Sequence, residues 1–298
     1  MAKKSHVENT VGRWAHQKLD AFQRYLEAYV QVLKNQPFKL FYVDAFAGAG
    51  ISKVRQDQQI DCEALFVIDE EELGEIENYI LGSPIRALNV RPAFDCYRFV
   101  ELDENRAAEL EELFEIFPGK DIKVRRGDAN ENVQFIAKNF TGRLWRGVAF
   151  LDPYGPNLHW KTIEALAETG KFDVIINFPL HMGIIRLIKN DGQIPHKHID
   201  MLDACFGCRD WYDAAFETVP GLFGDQQCKR KDALDRLLAL YIKRLEDVFG
   251  HVSNPSLVRN TRNSPIYYLI WASSNGKGKG IANHILNMGE KVRIKKSL

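Results

Sequence analysis

Apolar positions between Arg13 and Lys34 recur at Trp14, Leu19, Phe22, Leu26, Tyr29, Val30 and Leu33, one face of a helix. The expected N-terminal helix covers residues 13–36, and Pro37 closes it. The pattern then changes period. Phe38-Lys39-Leu40-Phe41-Tyr42-Val43 is a short apolar run ending at Asp44, followed at once by Ala45-Phe46-Ala47-Gly48-Ala49-Gly50. A buried strand leading into a glycine-rich turn is how the first unit of a doubly wound sheet opens. Four more such runs follow: Tyr97–Leu102, Ile122–Arg125, Gly147–Leu151 and Asp173–Ile176. Helical patterns separate them, capped by Asp103 and opened after Gly127-Asp128-Ala129-Asn130. Alternation of this kind predicts an α/β, mostly parallel, seven-stranded Rossmann-like sheet covered on both faces. Ser256-Leu257-Val258 and Ile266–Trp271 supply the last two strands, the final one antiparallel, before a helix from Gly280 to Met288.

Two stretches break the alternation. Residues 51–80 form an acidic insertion after the first strand, with nine acids against two bases between 51 and 79. The next helix is expected at Ser83-Pro84, with the serine as cap. Residues 181–231 form a helical insertion after the fifth strand, within a stretch to residue 250 that reads as almost wholly helical. It carries His181, Arg186, Lys189, Lys197, Arg209, Trp211, Tyr212 and Lys229-Arg230-Lys231, a mixture able to bind phosphates and stack bases. The economical organisation is one domain over residues 1–298.

Composition narrows the function classes. The 298 residues hold 40 Lys+Arg and 40 Asp+Glu, so no net field draws nucleic acid to the chain. No apolar stretch reaches bilayer length and no signal core follows Met1, which makes the expected setting cytoplasmic and excludes a membrane partner. Five cysteines are too scattered for a disulfide framework. Cys205-Phe206-Gly207-Cys208 with His196 and His198 has zinc-type ligands, but no second Cys pair exists, and the cysteines read as small hydrophobes. No metal is expected.

In an open parallel sheet, ligands bind beyond the carboxyl ends of the strands. Asp44, Glu101, Asp128 and Asp152 all fall there. Gly48 and Gly50 let a ligand approach the backbone, Asp44 suits an ammonium group, Glu101 two ribose hydroxyls and Asp128 an adenine amine. The turn lacks the third glycine of a nicotinamide fingerprint, and no phosphate-binding Gly-x-x-x-x-Gly-Lys-Ser/Thr occurs. A nicotinamide-dependent oxidoreductase is the weaker reading. Gly276-Lys277-Gly278-Lys279-Gly280 reads as a solvated loop at the edge away from the site.

Val43–Gly50, Val100-Glu101-Leu102-Asp103, Gly127–Asn130 and Leu151-Asp152-Pro153-Tyr154-Gly155 resemble, in order, the motifs of S-adenosylmethionine-dependent methyltransferases. More narrowly, the chain is similar to the three-Cys-motif partner protein (TcmP) family from about Lys18 to Ile285. That match adds Tyr25-Leu26, Ile80–Pro84, Ile176-Asn177-Phe178-Pro179 and Ile266–Leu269. The resemblance implies S-adenosylmethionine held by Asp44, Phe46, Gly48, Gly50, Glu101, Asp128 and Ala129. It also implies a three-Cys-motif protein as partner, the cysteines belonging to that partner. Asp152, Pro153 and Tyr154 stand where amino-methyltransferases carry an Asn/Asp-Pro-Pro-Tyr/Phe signature, as catalytic residues. There an acid and a proline-held carbonyl accept from an exocyclic amine while the ring stacks on the base. Tyr154 replaces the second proline and Gly155 follows, a departure from DNA adenine enzymes. The pattern is similar to the Asp-Pro-Phe-Gly of tRNA guanine-N2 dimethyltransferases, so an RNA guanine amine is the expected target. The alternative is a catalytically idle methyltransferase-like binding partner of the three-Cys-motif protein.

Overall fold

From Leu40 to Asp44 every residue of the first apolar run is buried, as a strand covered on both faces requires. In a computed structural model, which describes residues 8–48, 82–115, 117–221, 224–259 and 263–286, this run is an inner strand of an eight-stranded sheet. Gly50, the acidic insertion 51–80, Cys62 and the end of the chain from 287 lie outside the described residues.

The elements follow the alternation of the sequence. Helix α1 (Glu8–Leu33) precedes β1 (Lys39–Asp44), α2 (Ser83–Asn89), β2 (Cys96–Glu101), α3 (Glu104–Phe114) and β3 (Asp121–Arg126). Then come α4 (Ala129–Asn139), β4 (Trp145–Leu151), α5 (Trp160–Glu168) and β5 (Phe172–Phe178). Beyond a π-helical turn at Leu180–Ile184 lie α6 (His196–Phe206), α7 (Asp210–Ala215), β6 (Phe216–Gly221), β7 (Gly224–Lys229) and α8 (Ala233–Phe249). The chain finishes with β8 (His251–Val252), β9 (Ser256–Arg259), β10 (Pro265–Ser273) and α9 (Lys277–Leu286).

Strand order is β3-β2-β1-β4-β5-β10-β8, with β9 beside β10. The first five strands pair in parallel, and β10 runs antiparallel to β5. This is a Rossmann-like arrangement, and the order reverses between β1 and β4. Side-chain alternation sorts the core into two layers. Phe41 and Val43 face α4, α5 and α8, whereas Leu40 and Tyr42 face α1, α2 and α9.

The edge opposite the candidate site is tied by a buried polar network. The Tyr25 hydroxyl donates to Asp173 Oδ2 at 2.6 Å and accepts from Trp271 Nε1 at 2.5 Å, joining α1 to β5 and β10. Burial and the Asp173 charge hold the Tyr25 phenol well above its ordinary range, so it stays a donor. Tyr25→Phe is expected to cost about 1–3 kcal/mol in urea unfolding, because two buried partners lose their bond. A change within error would show that the network contributes nothing.

Three expectations are corrected. The 181–231 insertion is not all helix: β6 and β7 form an antiparallel hairpin. Gly224-Asp225-Gln226-Gln227-Cys228-Lys229 holds no β-branched or aromatic residue, so nothing local marks it as a strand. Its hold is tertiary instead, with Arg230 Nε on the Phe216 carbonyl at 2.7 Å and Lys229 Nζ on the Ile188 carbonyl at 2.9 Å. The glycine–lysine run is not a loop, since Lys277 opens α9, with Asn275 Oδ1 accepting from its N–H. Gly278 is needed there because a Cβ would lie 2.6 Å from the Trp271 ring. Finally, Gly82 and not Ser83 occupies the N-cap of α2.

Candidate functional site

Parallel pairing brings the carboxyl ends of β1, β2, β3, β4 and β5 to one rim, and β1 and β4 flank the point where the order reverses. The turn after β1 is held over that point by its backbone. Ala45 N–H donates to the Phe150 carbonyl and Ala47 N–H to the Val100 carbonyl. Gly48 sits in the left-handed region at φ 65°, where a side chain would be strained. Its N–H donates to Glu101 Oε2 at 2.8 Å, while Glu101 Oε1 accepts from Asp103 N–H at 3.0 Å. Glu101 therefore faces the glycine turn, as expected. Asp103 is a helix cap, accepting from Arg106 N–H at 2.8 Å.

Asp44 and Asp152, at the ends of the two strands that flank the reversal, are buried, as is Asn177 at the end of the neighbouring β5. Tyr42 donates to Asp44 Oδ2 at 3.2 Å, and Asn177 Nδ2 donates to Asp152 Oδ1 in a short bond. Burial pushes the Asp44 carboxyl up to about 7; a bond from Ser83 opposes the rise, and the Asp152 charge adds to it. Bonds from Tyr42 and the Phe46 N–H pull in the same direction as Ser83. Thus Ser83, misread as a cap, reaches the site from the first turn of α2. Asp44 Oδ1 and Asn177 Oδ1 are buried and have no hydrogen-bond partner among the described residues. Nature rarely leaves such acceptors in a core without a ligand or water to meet them.

Phe46 is half-buried against the core and Ala129 is the buried first residue of α4. Asp128 lies exposed at the same rim, with Oδ1 accepting from Glu131 N–H at 3.0 Å as the cap of α4. Pro153 is buried and Tyr154 half-buried, its hydroxyl bonded by Arg106 Nη1 at 3.3 Å. Asn130 fastens the loop that follows. It donates to the Asn157 carbonyl at 2.9 Å and accepts from His159 N–H at 2.8 Å and Thr162 Oγ1 at 2.9 Å. Sequence reasoning assigned Asn130 no task, although it ends the same Gly-Asp-Ala-Asn motif. It likewise placed Leu102 inside a strand, whereas it stands beyond β2 with 72% of its surface exposed.

The basic–aromatic set of the insertion divides differently from expectation. Trp211 is fully buried with Nε1 on Asp203 Oδ1 at 2.7 Å, so it stacks on no base. Arg209 pairs with Asp203, and Lys229 and Arg230 serve the hairpin. His181 lies on the π-helical turn with Nε2 3.4 Å from the Tyr268 hydroxyl. Burial, aided by the Arg259 charge, drives its imidazole down to about 4, so at neutral pH it is no cation for phosphate. The turn packs against the loop after Asp152, since a Cβ on Gly183 would meet Gly155 Cα at 3.1 Å. Among the described residues, no group of three or more His, Cys, Asp or Glu could hold a metal ion. No helix among them is long and apolar enough to cross a membrane.

No protein-family model matches the chain, and no curated protein does. Solved structures do match. An O-methyltransferase from Bacillus cereus in complex with SAH is 12% identical, with 92% of each chain covered and a TM-score of 0.42. A Legionella pneumophila protein is 15% identical over 87% of this chain and 96% of its own, with a TM-score of 0.40. Magnesium protoporphyrin IX methyltransferase from Synechocystis PCC 6803, with bound SAH, is 14% identical over 92% and 89%, with a TM-score of 0.38.

Proposed function

We propose that this chain is an S-adenosylmethionine-dependent methyltransferase acting on an exocyclic amine of a nucleic-acid base, RNA guanine or a similar one. Its setting would be cytoplasmic, alongside a three-Cys-motif partner, in one domain with insertions at 51–80 and 181–231. The observation that carries the reading is the pair of buried acceptors with no partner among the described residues, Asp44 Oδ1 and Asn177 Oδ1, on the same rim of the sheet as Glu101. Acceptors without donors suit a cationic ligand rich in N–H and O–H groups.

The residues fit that cofactor. A carboxylate has about four lone-pair positions, and Glu101 spends two on Gly48 and Asp103, which leaves acceptors for two ribose hydroxyls. Exposed Leu102 offers an apolar cover for the adenine ring, with Asp128 and Ala129 at its edge. Asp44 would hold the ammonium group under the Phe46–Gly48 turn. When bound, S-adenosylmethionine supplies a reactive methyl group on a sulfonium. Asp152, oriented by the Asn177 amide, accepts an N–H of the amine and aims its lone pair. Pro153 keeps the adjoining backbone in place, and Tyr154, its hydroxyl fixed by Arg106, presents a ring to the base. Positioning of this kind supplies most of the rate when the donor is already reactive.

Thermal unfolding with S-adenosylhomocysteine and with NAD tests the cofactor assignment. A ligand at about 100 times its Kd adds about 2.7 kcal/mol, so S-adenosylhomocysteine is expected to raise Tm by several degrees and NAD not at all. The reverse result would favour the oxidoreductase reading. Cofactor binding and co-purification with the three-Cys-motif protein, without methyl transfer to any RNA or DNA pool, would favour the idle partner.

A further inference from the structure

The basic–aromatic set expected in the insertion is dispersed there, and the fold assembles such a set elsewhere. At the amino ends of β1, β4 and β5, opposite the candidate site, Lys39, Arg143, Arg146 and Lys171 come together. Strand register sets Lys39 beside Trp145 and Leu40 beside Arg146. The Lys39 ammonium lies 5.7 Å from the Trp145 ring centre, and the Arg146 guanidinium 4.2 Å from that of Phe38. Arg146 Nη1 also donates to the Arg143 and Trp145 carbonyls at 3.2 and 2.7 Å, and Lys171 Nζ to the Phe140 carbonyl at 3.0 Å.

These contacts orient the cations and leave their charge uncancelled. Among the described residues, none of the four is paired with a carboxylate. The acids of this edge are engaged elsewhere: Asp95 accepts from Leu40 N–H at 2.6 Å, Asp121 pairs with Arg98, and Asp173 accepts from Tyr25. Glu168, exposed in the last turn of α5, pairs with none of the four. Cations do complement helix C-termini, and Lys171 does so for α4 through the Phe140 carbonyl. Lys39 and Arg143 are different. Both are exposed, and their side chains make no hydrogen bond among the described residues. Leu144, between Arg143 and Trp145, is 53% exposed.

We infer that this edge grips a single-stranded segment of RNA, with Lys39 and Arg143 on its phosphates and Leu144 and half-buried Trp145 against its bases. The inference rests on the reading of the substrate as nucleic acid and adds where the strand is held. A chain without net charge needs a local strip of cations to attract a polyanion. Apolar and aromatic groups among those cations suit bases, which an acidic protein segment lacks. The six residues of β1 separate this edge from the rim by about 20 Å. The grip therefore acts away from the reacting atoms, and a long RNA engages both ends of the sheet where a mononucleotide cannot.

Fluorescence anisotropy with a labelled single-stranded RNA of about 20 nucleotides, titrated at several salt concentrations, tests this. On a single strand each phosphate contact adds about 0.7 to the slope of log Kd against log salt. Lys39→Gln combined with Arg143→Gln should lower that slope by about 1.4 and weaken binding about tenfold at about 50 mM salt. Calorimetry with S-adenosylhomocysteine should give the wild-type affinity for the same variant, since the rim lies at the other end of the strands. Lys231→Gln combined with Lys243→Gln removes equal charge from exposed positions elsewhere and should leave the slope unchanged. Equal loss in that control traces binding to net charge and overturns the inference. A wild-type slope and Kd in the Lys39/Arg143 variant overturn it alone. No RNA binding by the wild type overturns it together with the nucleic-acid reading, while S-adenosylhomocysteine judges the cofactor reading separately. Should the double variant fail to fold, Arg143→Gln alone, on the exposed loop before β4, decides by a slope lowered by about 0.7 or unchanged.

Discussion

Asp152→Ala is expected to lower methyl transfer by about 100-fold or more while leaving S-adenosylhomocysteine binding intact. Loss of a single orienting acceptor is costly because a small misplacement of the reacting atoms removes most of the benefit of proximity. Asp152→Asn keeps an acceptor oxygen of the same reach and should retain more activity than the alanine variant. Removing the Asp152 charge also relieves Asp44 of a repulsive neighbour, so the affinity for a cationic cofactor should hold or improve. A labelled-methyl assay beside calorimetry reads both quantities on the same preparation. Parallel loss of transfer and binding would assign Asp152 to cofactor holding or to folding rather than to the amine.

The second large effect belongs to Glu101. Its carboxylate satisfies the Gly48 and Asp103 N–H groups at once. Glu101→Ala leaves both donors without their partner, for an expected stability loss of about 1–3 kcal/mol, and lets the Gly48 turn drift. Cofactor affinity should fall by about 100-fold, the equivalent of two charge-assisted hydrogen bonds. Glu101→Gln retains one carbonyl acceptor and should fall between the two. Urea unfolding and calorimetry separate the two effects. A Glu101→Ala protein that still binds S-adenosylhomocysteine like the wild type would remove Glu101 from the site.

These two positions illustrate what local reading achieves. Asp44, Glu101 and Asp152 were legible because each ends an apolar run, and parallel strands send all their ends to one rim. Gly48 was legible as a place for close ligand approach after β1, and the structure adds that it stands at positive φ. Asp103 was legible as a cap from its place before a helical pattern. The errors have one common source. Ser83 looked like a cap because serine before proline usually is one, yet its hydroxyl serves Asp44 across a long sequence separation. Trp211 looked available for stacking because exposure cannot be read from residue type, and burial against the core removes it. The β6–β7 hairpin was hidden because β7 holds no β-branched or aromatic residue, and it is fastened by Lys229 and Arg230 through the carbonyls of Ile188 and Phe216.

By itself, the sequence determined the period-two strands, the period-3.6 helices, the glycine turn and the row of acids at the strand ends. Those features depend on neighbours a few residues apart, where steric and burial preferences act directly. Only the tertiary structure decided that Asn177 would hold Asp152, that Tyr42 and Ser83 would enclose Asp44, and that Asn130 would pin the loop behind the candidate catalytic acid. Each of these joins side chains from separate elements. Packing the sheet between its two helical layers is what brings them within hydrogen-bonding distance and excludes the water that would otherwise satisfy them.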